Sequence, residues 1–205
     1  MNELKFGVFG SAFDPPTLGH LDVLQQAAGH HDRILLVPSA NHAFGKQPQP
    51  FEVRLEMLRR FVKEASVACS LEVCDLERRL LAANPDHSVY TYDLLEALEA
   101  HYLKTPQRVV LSFIRGPDNA HPETWSRFYK AREIEARWPV YTARERLGIR
   151  SSQVRSLLES FLVADGHCVA DSLDNDLPEK RELRLLEAYL LPSVLAYIVD
   201  HGLYL

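Results

Sequence analysis

The apolar positions of this chain follow two alternating rhythms. Leu4 to Phe9, "RILLVP" (33–38), "VACSLEVC" (67–74), "RVVLSFIRG" (108–116) and "PVYTA" (139–143) are short runs that read as strands. Between them the spacing becomes helical. Leu21, Leu24 and Ala28 mark one face of a helix from about Leu18 to Ala28. "PFEVRLEMLRRFVKEA" (50–65) repeats the spacing at Phe51, Leu55, Leu58 and Phe61-Val62, with Pro50 at its start. "YTYDLLEALEAHYL" (90–103) is amphipathic, and "HPETWSRFYKAREIEARW" (121–138) is helical but broken once. "SSQVRSLLESFL" (151–162) opens on serines that can cap a helix. "LPSVLAYIVDHGLY" (191–204) closes the chain, with Pro192 near its start and Gly202 past its end. "DGHCVADSLDNDLPEK" (165–180) is acidic and reads as irregular.

Alternating strands and helices predict an α/β fold, a Rossmann-like doubly wound parallel sheet with helices on both faces. Residues 1–150 would form the main sheet portion of one domain, and 151–205 a small C-terminal helical portion. Right-handed crossovers gather the loops after the strands on one edge, where ligands bind at the reversal of strand order. The first such loop is "FGSAFDPPTLGH" (9–20). The helix that follows offers unpaired N–H groups and a partial positive charge, a seat for a phosphate. Gly10 and Gly19 let the backbone approach a ligand, and Thr17 and His20 share a face of the first turn. The plain alternative is a stiff turn followed by a half-buried histidine. A glycine-serine, a Phe-Asp-Pro and a T-x-G-H in order within one loop favour a site.

Composition narrows the classes. The 205 residues, 46% apolar and 25% charged, suffice for one sizeable core. A net charge of −5 argues against a nucleic-acid-coating protein. Three cysteines without zinc spacing argue against a disulfide scaffold and for a reducing cytoplasm. His30-His31 and His42 show no ligand spacing, so no protein-held metal is expected. No signal peptide and no bilayer-spanning run is visible, so no membrane partner is expected.

The stretch 9–20 resembles the (H/T)-x-G-H signature of the nucleotidylyltransferase superfamily. The order of the remaining motifs is similar to that of the bacterial nicotinate/nicotinamide mononucleotide adenylyltransferases. "VPSANHAFGKQPQPFEVRLEML" (37–58) resembles their lysine loop, "VYTYDLLEAL" (89–98) their S-Y-T-x-D-T-L, and "FIRGPDN" (113–119) their strand-end G-x-D. "HPETW" (121–125) resembles the segment with a ring-stacking tryptophan, "IRSSQVR" (149–155) resembles I-S-S-T-x-I-R, and the closing helix matches as well. The chain departs from the pattern at Thr17, where this branch more usually has histidine and phosphopantetheine adenylyltransferases have threonine. It departs again at Arg150 and Ser152, which stand for Ser and Thr.

The resemblance implies transfer of AMP from ATP to nicotinate or nicotinamide mononucleotide, releasing pyrophosphate, in NAD biosynthesis. It implies His20, Lys46 and Arg155 as catalytic residues. Gly10, Ser11, Phe13, Thr17, Gly19, Ser151 and Ser152 would hold ATP, and Asp118, Asn119, Trp125 and Thr91 the mononucleotide. Mg²⁺ would be held mainly by ATP and water. A phosphopantetheine adenylyltransferase-like enzyme and a non-catalytic nucleotide-binding module are the alternatives, and a homo-oligomer stays open. The chemistry agrees with the residue types. A substrate phosphate is already a nucleophile, so alignment and charge stabilisation suffice. From Lys130 to Arg155 seven Lys/Arg face three Glu, a local positive excess in an acidic chain. Plainer roles exist for each residue: a solvated Lys46, an Arg155–Glu159 pair, a capping Ser151, a turn at Asp118, a core Trp125.

Overall fold

The computed structural model describes residues 3–40, 48–163 and 178–204. They form strands β1 (Leu4–Ser11), β2 (Arg33–Pro38), β3 (Ser70–Val73), β4 (Val109–Arg115) and β5 (Val140–Thr142). All neighbouring strands pair in parallel, in the order β3-β2-β1-β4-β5. The order runs outward from β1 in both directions, so the fold is doubly wound and the reversal lies between β1 and β4.

Strand periodicity assigns the two cores. Ile34 and Leu36 face one side with Phe9, and Leu35 and Val37 face the other with Phe6 and Val8. On the first side pack α1 (Leu18–Ala28) and α2 (Phe51–Glu64), and with them the C-terminal helices α7 (Ser151–Val163), α8 (Pro178–Tyr189) and α9 (Pro192–Asp200). Val154, Leu158, Leu186, Leu190, Val194 and Ile198 are buried there with Leu24, Leu58 and Phe61, so the C-terminal helices share the core of the sheet. On the second side Leu94, Leu95 and Leu98 of α4 (Thr91–Tyr102) meet Leu111, Phe113, Trp125, Ile134 and Trp138.

The third strand is shorter than its apolar run, and the helix read over 121–138 is split. Its parts are α5 (Pro122–Trp125) and α6 (Ala131–Arg137), separated at Lys130, whose φ of 55° is left-handed. Helix α3 (Leu76–Ala83) was not expected; it is eight residues long and none of them is fully buried. The acidic segment lies largely outside the described residues, and α8 begins at its Pro178. No helix among the described residues is long and apolar enough to cross a membrane.

A buried polar link ties α1 to the sheet. His31 Nδ1 donates to the Ala27 carbonyl at 2.8 Å, which leaves Nε2 to accept from Ser112 Oγ of β4 at 2.6 Å. Gly7 makes room for it: a Cβ there would lie 2.6 Å from Ile114 Cδ1 and 3.0 Å from His31 Cδ2. Burial lowers the His31 pKa below its ordinary 6.5. The unfolded chain therefore takes up this proton first as pH falls. Stability is complete above the ordinary value and drains away below it. The urea midpoint is expected to fall between about pH 7 and about pH 5, less steeply in His31→Gln; equal slopes would show that His31 does not carry the effect.

Candidate active site

A cavity of about 490 Å³ opens at the C-terminal ends of β1 and β4, a volume suited to a small-molecule ligand. Three segments wall it. Gly10, Ser11, Thr17, Gly19 and His20 come from the β1–α1 loop and the first turn of α1, and Asp118 and Asn119 from the turn after β4. Ser151, Ser152 and Arg155 come from the first turns of α7, joined by Glu145, Arg146 and Arg150 of the preceding segment. Only three of the seven basic residues in the run from Lys130 to Arg155 line the cavity.

Three expected residues do not line the cavity, and a fourth is not described. Lys46 lies outside the described residues. Phe13 is fully buried, its ring 5.0 Å from that of His20, and forms a wall behind the imidazole rather than the cavity surface. Thr91 begins α4 and does not line the cavity. Trp125 belongs to the opposite core, stacked 5.9 Å from Phe113 and 4.8 Å from Phe128, with the Arg115 guanidinium 4.6 Å over its ring. Its indole Nε1 is buried without a hydrogen-bond partner.

The turn holds His20 in one tautomer. Thr17, the residue before α1, donates its backbone N–H to His20 Nδ1 at 3.0 Å, and its hydroxyl lies 3.0 Å from the same nitrogen. An Nδ1 that accepts leaves the proton on Nε2, 3.1 Å from Ser11 Oγ. Burial, reinforced by the positive charge of Arg150, pushes the His20 pKa down to about 4. The ring is thus a neutral hydrogen-bond donor at physiological pH. Gly19 lines the cavity and also serves packing. A Cβ there would lie 2.6 Å from the Ile149 carbonyl oxygen, so α1 and the segment before α7 touch only because the position is glycine.

Arg155 is held by the first loop. Its Nη1 donates to the Asp14 carbonyl at 2.6 Å and lies 3.6 Å from the Asp14 carboxylate. Asp14 is 4% exposed and also accepts from the Tyr204 hydroxyl at 2.8 Å and the Gln49 N–H at 3.2 Å. Ser151 Oγ donates to the Pro15 carbonyl at 2.8 Å, a second stitch between the same two segments. Arg54, 2% exposed, donates to the carbonyls of Ala12 (2.7 Å), Ser39 (2.9 Å) and Gln49 (2.9 Å). Glu77 of α3 accepts from the Ala40 N–H at 2.9 Å, and burial pushes its pKa up to about 7. Sequence reasoning passed over Asp14, Arg54, Glu77 and Tyr204. Asp14 could have been noticed as a carboxylate between an apolar run and two prolines, and Arg54 as the arginine of the matched helix start.

The cytidylyltransferase-like family model matches residues 8–157, a span that contains the whole cavity, and the chain belongs to that family of nucleotidyltransferases. A Myxococcus xanthus protein assigned as a nicotinate-nucleotide adenylyltransferase is 27% identical over 98% of this chain and 95% of its own length. The phosphopantetheine adenylyltransferase of a Lactococcus lactis strain is 38% identical, but over 37% of this chain and 46% of its own. Among solved structures, a Vibrio parahaemolyticus protein assigned as a nicotinate-nucleotide adenylyltransferase aligns with a TM-score of 0.70 at 29% identity, covering 98% of this chain and 95% of the other.

Two measurements test this geometry. The ring resonances of His20 should titrate with a midpoint near 4; a midpoint at the ordinary histidine value would show an imidazole free in solvent. Tyr204→Phe removes one donor from the buried Asp14 carboxylate and should cost about 1–3 kcal/mol in urea unfolding. An unchanged midpoint would detach the closing segment from the site.

Proposed function

We propose that this chain transfers AMP from ATP to nicotinate or nicotinamide mononucleotide, forming the dinucleotide and releasing pyrophosphate in NAD biosynthesis. The observation that carries the reading is the imidazole at the start of α1, fixed as a neutral Nε2–H donor inside the switch-point cavity and flanked by arginines. The full-length similarity to proteins assigned as nicotinate-nucleotide adenylyltransferases supports it.

The acceptor's phosphate oxygen attacks the α-phosphorus of ATP. The bond from that phosphorus to the bridging oxygen breaks, and pyrophosphate leaves with the electron pair. No proton must pass through the protein. His20 Nε2–H exchanges Ser11 for an oxygen on the α-phosphate, where negative charge builds. Arg155 and the N–H groups at the start of α7 hold the outer phosphates, and Lys46 joins them from its loop. Asp118 and Asn119 meet ribose hydroxyls. Among the described residues no three His, Cys, Asp or Glu side chains converge on a point. The resemblance implies a Mg²⁺ carried by the nucleotide and water, which would neutralise polyphosphate charge. Thr17 and the partial match to a phosphopantetheine adenylyltransferase keep that acceptor as the second reading.

Purified protein with MgATP should release pyrophosphate when nicotinate or nicotinamide mononucleotide is added, and not with phosphopantetheine. Release with phosphopantetheine alone would transfer the assignment to the second reading, and ATP binding without release would leave a binding module. In the active protein His20→Ala should lower kcat by about 10²–10³, the scale of one preorganised donor. Near-normal turnover would remove His20 from the chemistry.

A further inference from the structure

Arg150 departs from the residue usual at its position, and the cavity gives it a use. It stands immediately before α7, where Ser, Thr, Asp or Asn would accept a hydrogen bond from a free helix N–H. A guanidinium only donates, so capping gains nothing from it. The backbone is held regardless: the Arg150 N–H donates to Gln153 Oε1 at 2.7 Å. The side chain turns to the cavity wall and bridges it. Nη2 lies 2.8 Å from Asp118 Oδ1, on the turn after β4, and donates to Glu145 Oε1 at 2.6 Å. The two carboxylates are 61% and 49% exposed at the side chain. Such solvated pairs are weak and exchange readily. One nitrogen makes both contacts, and Nε and Nη1 have no hydrogen-bond partner among the described residues.

We propose that Arg150 is a further catalytic residue, which on nucleotide binding leaves Asp118 and Glu145 and places its planar fork on the phosphate oxygens of ATP. The inference rests on the adenylyl-transfer reading of the cavity. A carboxylate and a phosphate compete for the same donors, and the phosphate offers more charge and a bidentate edge. The exchange also releases Asp118 to accept a hydroxyl of the ribose. Gly19 keeps the Ile149 carbonyl against α1, which sets the neighbouring Arg150 beside His20. Its charge is felt by that imidazole. In the reaction it takes no proton; it lowers the energy of charge collecting on the phosphates as the bond to the leaving pyrophosphate breaks.

The test is calorimetric titration of MgATP alone into the whole protein, without an acceptor. Arg150→Ser should weaken ATP binding about tenfold or more, the worth of a charged hydrogen-bonding contact. It should leave the thermal midpoint equal or higher, because serine caps α7. Arg150→Lys should recover part of the affinity, having charge without the fork. Glu145→Gln removes a competitor and should tighten ATP in the parent chain but not alongside Arg150→Ser. ATP affinity within about twofold of the parent in a folded Arg150→Ser chain overturns the proposal. So does a Glu145→Gln gain that persists without Arg150. These binding readouts are separate from turnover: a chain that binds ATP through Arg150 but makes no dinucleotide would sink the adenylyl-transfer reading and leave the phosphate contact standing.

Discussion

Three loops at the ligand edge of the sheet meet on one buried cation. The Arg54 guanidinium spends a donor on each of Ala12, Ser39 and Gln49, one carbonyl from the loop after β1, one from the end of β2 and one from the approach to α2. Burying a charge is costly unless its hydrogen bonds are met. Here dipoles meet them, and the nearby Asp14 charge favours the cation. Remove the guanidinium and three part-buried acceptors lose their partner at once, each belonging to a different segment. Ala12, one of the three, lines the cavity, so the clamp supports its wall from behind.

From that clamp the site is assembled outward. Asp14, fixed in the clamped loop, receives Tyr204 from the closing segment and orients Arg155 from α7. Thr17, at the end of the same loop, sets the tautomer of His20. His20 and Arg155 are thus positioned by backbone groups and by neighbouring side chains. That arrangement suits a reaction without a protein nucleophile, in which rate comes from alignment and from donors already in place.

The sheet was legible because its strands are apolar on both faces and its main helices carry a stripe. Helix α3 escaped notice because it is only eight residues long and buries nothing fully. The first loop could be read as a site because Gly, Pro and a helix-start histidine constrain the chain locally. The partners of Asp14, Arg54 and Tyr204 could not be read, since they lie 35, 42 and 190 residues away in sequence. Trp125 illustrates the converse: a motif match names an aromatic ring, but whether that ring faces a cavity or a core depends on how α5 packs on β4. Gly19 was read as space for a ligand; it lines the cavity, and the place a Cβ would take there is filled by a carbonyl of the chain itself, a packing role no local motif announces.

The ion pairs around the cavity also govern how a ligand finds it. Arg146 is paired with Asp22, Arg150 with Asp118 and Glu145, and Arg155 with Asp14. Opposite charges so close cancel beyond a few ångströms, and the net −5 of the whole chain faces an incoming polyanion. These paired charges therefore cast no long-range lure. Encounter is left to ordinary diffusion, slightly opposed by the protein's own field, and the arginines act only once a phosphate is near enough to displace a carboxylate. Capture is decided at contact, so speed of arrival is given up and anions that cannot complete the exchange are turned away.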